Sequence, residues 1–521
     1  MNANSRLGAA IVLSVALSIG MSGRLAAQGG QTPPPEYKEL VAAYQLKDPS
    51  LRVKEFQRIL AAYPATRYKD AIEASILESR VALATTLDEI VELQRSFVSA
   101  GQGPARAQNP VAAAVQLLNH PRIETFDHAR VLDLALAYRV AALRAAADPA
   151  TYEGVPEDQR ALFKSNIQSA VELLTARAYL NAGDTDKATA SVEAYRKSGG
   201  ASGANYYYVL AGILENTGKV AEAADAYLSA AIEDYSDAAE KARTLYIKLH
   251  GTADGFEAAR AAKLKALPFE PEPFKAPAGW KGKAVLAELF TGSECPPCVG
   301  ADIAFDALIE TFPAKYLAVL VYHLPIPRPD PMMNPATQAR QKAYGVSSTP
   351  TVVIDGSHKS LGGGGRGAAE GKFAQYRGVI EPLLSAAPAV SLKVRATLAA
   401  DTVKVVYDFN TAVPDAEILL VLVQGVQDHE GSNGVALHKM VVRDLRVIDP
   451  LAQRTVAFDL AASERAADAY LTEFERTYTR IPGFKWEVRR NALPRKGLKV
   501  VLFVQEKATG KVLNAVVADV D

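Results

Sequence analysis

The stretch KAVLAELFTGSECPPCVGADIAFDALIETF, residues 283–312, decides the fold of the second half of this chain. It opens with an apolar strand-like run, passes through a Cys-Pro-Pro-Cys unit and continues with apolar residues at helical spacing. Cys295 and Cys298 are the only two cysteines among the 521 residues. Because proline is favoured in the first turn of a helix, we expect Cys295 at or just before a helix N-terminus. Unpaired N–H groups there stabilise a thiolate, which predicts a reactive Cys295 and a deeper, resolving Cys298.

The segments that follow complete an ordered series of elements. LAVLVYHL, residues 317–324, is typical of a buried strand, and PATQARQKAYG, residues 335–345, is typical of a helix. Thr349 and Pro350 then stand directly before the β-branched run TVVI. Through the CxxC unit and this downstream Thr-Pro, residues 283–387 resemble the thioredoxin superfamily.

The resemblance implies an α/β thioredoxin-like domain and gives roles to individual residues. Cys295 and Cys298 are expected to be the catalytic dithiol and to form a redox-active disulfide, with no other cofactor. Pro350 takes the place of the family's cis-proline, and the backbone of Thr349 is expected to pair with an extended substrate. Glu288 lies near the place of the buried carboxylate that relays protons to the resolving cysteine, at a spacing one residue longer than usual. Alternatively, Glu288 faces solvent.

Two further residues bear on this site. Glu294 directly precedes Cys295, where thioredoxins usually carry tryptophan, and its carboxylate opposes thiolate formation by like-charge repulsion. His323 follows the next strand and is expected either to contact the site or bind a metal, or simply to be hydrogen-bonded at the strand end. The seven histidines show no paired spacing, so no dedicated metal site is expected.

Proline clusters and changes of composition divide the chain into segments. The Ala/Leu-rich first half contains YVLAGILENTGKVAEAADAYLSAAI, in which Gly218 repeats Gly183 after 35 positions. This stretch resembles tetratricopeptide repeats, which stack into solenoids that often dock peptides. Short alternating segments after residue 388 predict a sandwich-like, mainly-β domain with one amphipathic helix near residues 463–479. The predicted segments are a signal peptide (1–27), a linker (28–35), an all-α repeat domain (36–265), a proline-rich linker (266–282), the thioredoxin-like domain (283–387) and the β-rich domain (388–521).

The first residues of the chain and its overall charge indicate where the protein works. A basic start, an apolar run from Ala9 to Met21 and small residues up to Ala27 predict a cleaved secretory signal peptide. We therefore expect a periplasmic or secreted protein in an oxidising space, where disulfides persist. The 58 basic and 58 acidic residues leave no net charge, so neither nucleic acid nor an anionic membrane is an expected partner. The apolar run is too short and wrongly flanked for a confident membrane span, so no stable membrane insertion is expected; an uncleaved anchor is the alternative.

These features together predict an exported thiol-disulfide oxidoreductase. Its partners are client proteins with thiols or disulfides, which the helical repeats select, and a recycling partner that the sequence does not identify. One alternative is a binding or scaffold protein with a permanent Cys295–Cys298 disulfide. A second is a copper chaperone in which Cys295, Cys298 and His323 bind the metal.

Overall fold

The structure is a computed structural model, which describes residues 36–197, 203–233, 235, 237–276, 279–410, 415–448, 454–481 and 483–521. The predicted signal peptide and the linker at 28–35 lie outside these described residues. The chain forms two compact units, which divide between Arg260 and Ala261. No helix in the described ranges is long and apolar enough to cross a membrane.

The first unit is helical, as the spacing of its apolar residues predicts. Separate apolar clusters between neighbouring helices hold it together. Several helices begin at side-chain caps, such as the reciprocal capping box of Thr86 and Glu89. The described helices are α1 (Glu36–Gln45), α2 (Pro49–Ala62), α3 (Lys69–Leu83), α4 (Leu87–Ser99), α5 (Ala105–Leu118), α6 (His128–Ala147), α7 (Glu157–Asn181), α8 (Thr185–Lys197), α9 (Ala204–Asn216), α10 (Val220–Ala231), α11 (Ala238–His250) and α12 (Phe256–Lys265), the last of which continues past the division between the units.

Two successive helical turns in this unit have the same geometry. Gly183 and Gly218 adopt φ values of 80° and 77°, a left-handed conformation that favours glycine. The N–H groups of the residues that follow, Asp184 and Lys219, each donate a 2.9 Å hydrogen bond to the carbonyl oxygen five residues earlier. The turns between α7 and α8 and between α9 and α10 are therefore equivalent at the spacing found in the sequence.

The second unit alternates strands and helices before it becomes mainly β. Its described elements are β1 (Val285–Thr291), α13 (Val299–Thr311), β2 (Leu317–His323), α14 (Pro335–Tyr344), β3 (Thr351–Ile354), β4 (His358–Leu361), α15 (Ala369–Leu383), β5 (Leu392–Ala399), β6 (Thr402–Phe409), β7 (Ala416–Asp428), β8 (Leu437–Ile448), β9 (Thr455–Asp459), α16 (Leu460–Thr477), β10 (Leu498–Glu506) and β11 (Val512–Asp519). The predicted order of strand, CxxC, helix, strand, helix and strand is confirmed over residues 285–354.

Two sheets organise this unit. The larger has the order β11-β10-β7-β8-β2-β1-β3-β4, and the smaller has the order β5-β6-β9. β1 pairs in parallel with β2 and antiparallel with β3, so the strand that leads to Cys295 has a neighbour on each side. All seven residues of β1 and all seven of β2 are buried, as expected for strands covered on both faces.

Four strands that the sequence placed in a separate C-terminal domain instead continue the larger sheet. β8 meets β2 at Val321 and Val441, and β7, β10 and β11 follow in order. The boundary expected between residues 387 and 388 is therefore not a boundary between sheets. The amphipathic helix expected near residues 463–479 is present as α16.

The reason for this arrangement lies in β7. Val421 and Val423 pack into the core that contains β1 and β2, whereas Leu420 and Leu422 pack into a second core shared with β5 and β6. Side chains alternate along a strand, so β7 buries both of its faces. A continuous apolar run of this kind is typical of a strand covered on both faces. A strand with one solvent-exposed face would instead alternate apolar and polar residues.

Candidate redox site

β1 leads to the Cys-Pro-Pro-Cys unit, which sits at the start of α13. The two cysteines form a disulfide with an S–S distance of 2.05 Å and a Cα–Cα distance of 5.3 Å. Cys295 has an extended backbone, a 3₁₀ turn spans Pro296–Cys298, and α13 begins at the next residue. Both prolines lie in this first turn, where their missing N–H groups cost nothing. The predicted placement of the dithiol at a helix N-terminus is confirmed.

Both cysteines are completely buried. Each has 0% exposure, while Pro296 and Pro297 between them are exposed. Two segments that are distant in sequence hold the unit from outside. We call residues 429–436, which join β7 to β8, the cover loop, and residues 362–365, four consecutive glycines, the glycine loop. In this closed conformation neither sulfur atom contacts solvent.

Asn433 attaches the cover loop to the backbone around Cys295. Its Nδ2 donates to the carbonyl oxygens of Gly292 at 3.2 Å and Cys295 at 3.4 Å. Its backbone N–H donates to the carbonyl oxygen of Ser293 at 3.2 Å. Gly431 approaches the same segment so closely that a Cβ there would lie 2.3 Å from the Ser293 carbonyl oxygen. The contact therefore depends on a specific amide and on a position without a side chain.

Glu294 also faces the cover loop. Its carboxylate accepts a 3.3 Å hydrogen bond from the backbone N–H of Ser432. Glu294 thus links the segment just before Cys295 to the cover loop.

The glycine loop contacts the other side of the dithiol unit. The N–H of Gly364 donates to the carbonyl oxygen of Pro297, and the N–H of Gly300 donates to that of Gly364, both at 2.8 Å. A Cβ on Gly363 would lie 1.7 Å from the Pro297 carbonyl oxygen and 2.6 Å from Cγ of Pro350. Glycine is required at this position because the two backbones approach so closely.

Thr349 lies beside Cys295, as the resemblance to the thioredoxin superfamily implies. The peptide bond between Thr349 and Pro350 is cis. Oγ1 of Thr349 lies 3.3 Å from Sγ of Cys295 and 2.8 Å from the carbonyl oxygen of Ile326. With a single proton, the hydroxyl donates to only one of them at a time. Within the described ranges, the backbone N–H and C=O of Thr349 have no hydrogen-bond partner, which leaves them available to an extended peptide.

Glu288 is not brought to the dithiol. It is buried and pairs with Arg340 at N–O distances of 2.7 and 2.9 Å, and it accepts hydrogen bonds from Tyr322 and Tyr344. These contacts place it on the α14 side of the sheet, whereas the side chain of Thr291 lies near Asp302 of α13. Because side chains alternate along a strand, the extra residue in its spacing turns Glu288 to the face away from α13. The structure therefore supports neither the relay position nor the solvent-facing alternative.

A different buried acid lies one helical turn after Cys298. Asp302 is 9% exposed, and burial raises its pKa well above the usual range, with smaller raising effects from Asp306 and Asp330. Thr291, Ser293, Asp302 and His323 each have a buried polar side-chain atom without a hydrogen-bond partner in the described structure. The only signal for this acid in the sequence is its helical spacing from Cys298, because residues four apart lie on one face of a helix.

His323 belongs to a buried network next to the same unit. Oδ2 of Asp330 accepts a 2.6 Å hydrogen bond from the backbone N–H of Ser293 and lies 2.9 Å from Nδ1 of His323. Burial opposes ionisation of Asp330, but His323 and backbone donors outweigh it and hold the pKa of this carboxyl well below its usual range. The ring of His323 lies 4.9 Å from that of His438, whose pKa burial lowers to about 3.

Metal binding finds no support in this geometry. Across the described part of the chain, no three His, Cys, Asp or Glu side chains are grouped so that they could hold a metal ion. His323 is engaged with Asp330 through Nδ1.

Comparisons with protein-family models, with curated proteins and with solved structures find no match for this chain. The residues of the site provide three features that bear on its chemistry. These are a covered disulfide at a helix start, an unpaired backbone edge at Thr349, and a buried acid one turn from Cys298.

The raised pKa of Asp302 predicts a pH-dependent stability. A carboxyl whose pKa is higher in the folded protein stays protonated there over a pH range in which the unfolded protein has already lost the proton. The free energy of unfolding therefore falls as pH rises above about 4. Asp302→Asn removes this titration and should make the fall above about pH 4 shallower, by up to roughly 1.4 kcal/mol per pH unit. Urea unfolding at several pH values measures it. Asp408→Asn, at an exposed position of β6, is the matched control and should keep the wild-type slope. An unchanged slope in Asp302→Asn contradicts the assignment.

Proposed function

We propose that this protein is a thiol-disulfide oxidoreductase that uses Cys295 and Cys298, and that it works in an oxidising space outside the cytoplasm. The observation that carries the proposal is the disulfide at the N-terminus of α13 with Thr349 directly beside Cys295. The helix terminus stabilises the thiolate form of the reduced pair, and the unpaired backbone of Thr349 provides a place for an extended client segment. The resemblance to the thioredoxin superfamily points in the same direction.

The reaction is an exchange of disulfide bonds that transfers two electrons. The Cys295 thiolate attacks one sulfur of a client disulfide, forms a mixed disulfide and releases the first client thiolate. The Cys298 thiolate then attacks Sγ of Cys295, which closes the internal disulfide and releases the second client thiolate. The client is reduced and the protein is oxidised. Oxidation of a client dithiol is the same sequence in reverse.

Access to Cys295 requires the cover loop to move. Four hydrogen bonds join Asn433 and Ser432 to residues 292–295. At a net value of about 0.5–1.5 kcal/mol each, their loss costs roughly 2–6 kcal/mol, so the open form is at most a few per cent of the population. Exchange with a client is therefore gated by this loop.

Asp302 is suited to hold the proton that the resolving step moves. It lies one turn beyond Cys298 on the same helix and away from solvent. An ionised Asp302 can accept the proton from the Cys298 thiol and can return it when the exchange runs in reverse. In this proposal it takes the part that the sequence suggested for Glu288.

The helical unit supplies client selection in this proposal. Its equivalent turns at Gly183 and Gly218 and the buried alanines around them support the resemblance to tetratricopeptide repeats, whose stacked helices often bind peptides. The predicted signal peptide supports export.

The chemistry is tested by trapping. Cys298→Ala leaves Cys295 without its resolving partner, so incubation with a disulfide-bonded fluorescent peptide should give a covalent adduct that dithiothreitol releases. Cys295→Ala is the matched control and should give no adduct, because Cys298 is placed to resolve and not to attack. Non-reducing gel electrophoresis detects the product. Equal labelling of the two variants, or none in either, contradicts the proposed roles.

The gating is tested at Asn433. Asn433→Ala removes the side-chain amide bonds to Gly292 and Cys295, and we expect the internal disulfide to be reduced by dithiothreitol roughly tenfold faster. Ser432→Ala is the matched control, because Ser432 contributes only its backbone N–H and its exposed side chain is dispensable. Stopped-flow thiol trapping measures both rates. A rate in Asn433→Ala equal to that of the wild type shows that the cover loop does not limit access.

A second function has a specific observation in its favour. The complete burial of both cysteines is what a permanent, structural disulfide in a binding or scaffold protein requires. Under this alternative, Cys298→Ala forms no adduct and the disulfide resists exchange in the folded protein. The copper-chaperone alternative has no comparable observation.

A further inference from the structure

The helical unit contains a cavity that is separate from the dithiol and that the proposed function does not use. It has a volume of about 240 Å³ and lies between α5, α7 and α9. Its walls are mainly apolar and include Val111, Phe163, Ile167 and Val209. Three of these side chains are otherwise buried, with 7%, 3% and 1% exposure for Val111, Ile167 and Val209. The cavity is therefore a mainly apolar recess of the helical unit, with the exposed Asn166 and Asn205 also in its lining, and its apolar walls suit an apolar ligand.

One charged side chain lines this apolar space. Arg177 of α7 borders the cavity, and its Nε is buried without a hydrogen-bond partner in the described residues. One of its terminal nitrogens donates to Oδ1 of Asn119 and to the hydroxyl of Tyr235. The guanidinium also lies 5.5 Å from the ring centre of Tyr208 and 5.8 Å from that of Tyr235. Neutral groups hold Arg177 in place, but they do not balance its charge.

Two acids of this region are engaged by groups other than Arg177. Glu172 pairs with Arg139 at 2.8 Å, and Asp237 accepts a 2.8 Å hydrogen bond from the Tyr208 hydroxyl. No carboxylate in the described residues forms an ion pair with Arg177. A guanidinium that is partly withdrawn from water and has a free N–H favours an anion with planar oxygens, which a carboxylate provides.

The cavity volume sets the size of the ligand. A protein cavity of about 150 Å³ is filled by benzene, which has six non-hydrogen atoms. By proportion, 240 Å³ corresponds to roughly ten such atoms. An acid of that size has an apolar body of about seven carbon atoms and one carboxylate.

We propose that the cavity between α5, α7 and α9 binds a small monocarboxylate with an apolar body, whose carboxylate pairs with Arg177. The apolar part fills the space between Val111, Ile167 and Val209. The site gives the helical unit a ligand of its own, independent of any exchange at Cys295.

The test uses the full chain and two probes of nearly equal size, octanoate and 1-octanol, in isothermal titration calorimetry. Octanoate should bind saturably with one site per chain and roughly tenfold more tightly than octanol, because only the acid pairs with Arg177. Arg177→Met should remove this difference by weakening octanoate binding roughly tenfold while octanol binding stays the same. Ala170→Phe, which fills the cavity from α7, should abolish the binding of both probes.

Two results overturn the proposal. One is the absence of saturable octanoate binding to the wild-type chain. The other is equal affinity of the wild type for octanoate and octanol, which needs no variant and so does not depend on the folding of Arg177→Met. The same titration of Cys295→Ala should give the wild-type affinity, because this site does not involve the dithiol. A failure of the redox proposal is thereby separated from a failure of this one.

Discussion

The burial of β7 on both faces is the constraint on which the second unit depends. Val421 and Val423 complete the core beneath the strand that carries the dithiol, and Leu420 and Leu422 complete the core beneath the smaller sheet. One strand thus connects two layers, and it anchors the start of the chain that follows it. That chain is the cover loop. The packing of β7 therefore bears directly on whether Cys295 is accessible.

The closed site combines two requirements of disulfide chemistry that oppose each other. A reactive thiolate needs stabilisation, which the helix terminus supplies, and it needs access to a client, which the cover loop denies. Both requirements are met if the closed loop is only a few kcal/mol more stable than the open loop. A loop held by a few hydrogen bonds then opens often on the timescale of exchange. Glu294 has a place in this arrangement. The charge of Glu294 is unfavourable near a thiolate. Its hydrogen bond with the backbone N–H of Ser432, however, helps to hold the cover loop in the closed conformation.

The sequence was informative where the signal was local. The strand before Cys295 and the helix after Cys298 follow from apolar spacing and from the place of proline in a helix, whereas the position of Pro350 was implied by the resemblance to the thioredoxin superfamily. The equivalent turns at Gly183 and Gly218 were likewise visible as a repeat. Each of these depends on residues within a few positions of one another.

The features that the sequence did not reveal depend on register or on distant contacts. A shift of one residue sends Glu288 to the opposite face of β1, and no rule of composition distinguishes the two faces of a strand that is buried on both. Asn433 and Gly363 contact the Cys-Pro-Pro-Cys unit but are distant from it in sequence. The residues around Cys295 therefore do not predict these contacts. The pairing of the C-terminal strands with the larger sheet was also not predictable from local sequence. It depends on which sheet edge an apolar strand pairs with.

The reduction potential of the Cys295–Cys298 pair tests the central claim most directly. Purified full-length protein is equilibrated with glutathione or dithiothreitol buffers of graded potential, and its free thiols are trapped and counted. A redox-active pair gives a value between about −270 mV, typical of reductases, and about −120 mV, typical of strong oxidants. A pair that stays oxidised below about −300 mV, or that never exchanges in the folded protein, is a structural disulfide and contradicts the proposed function.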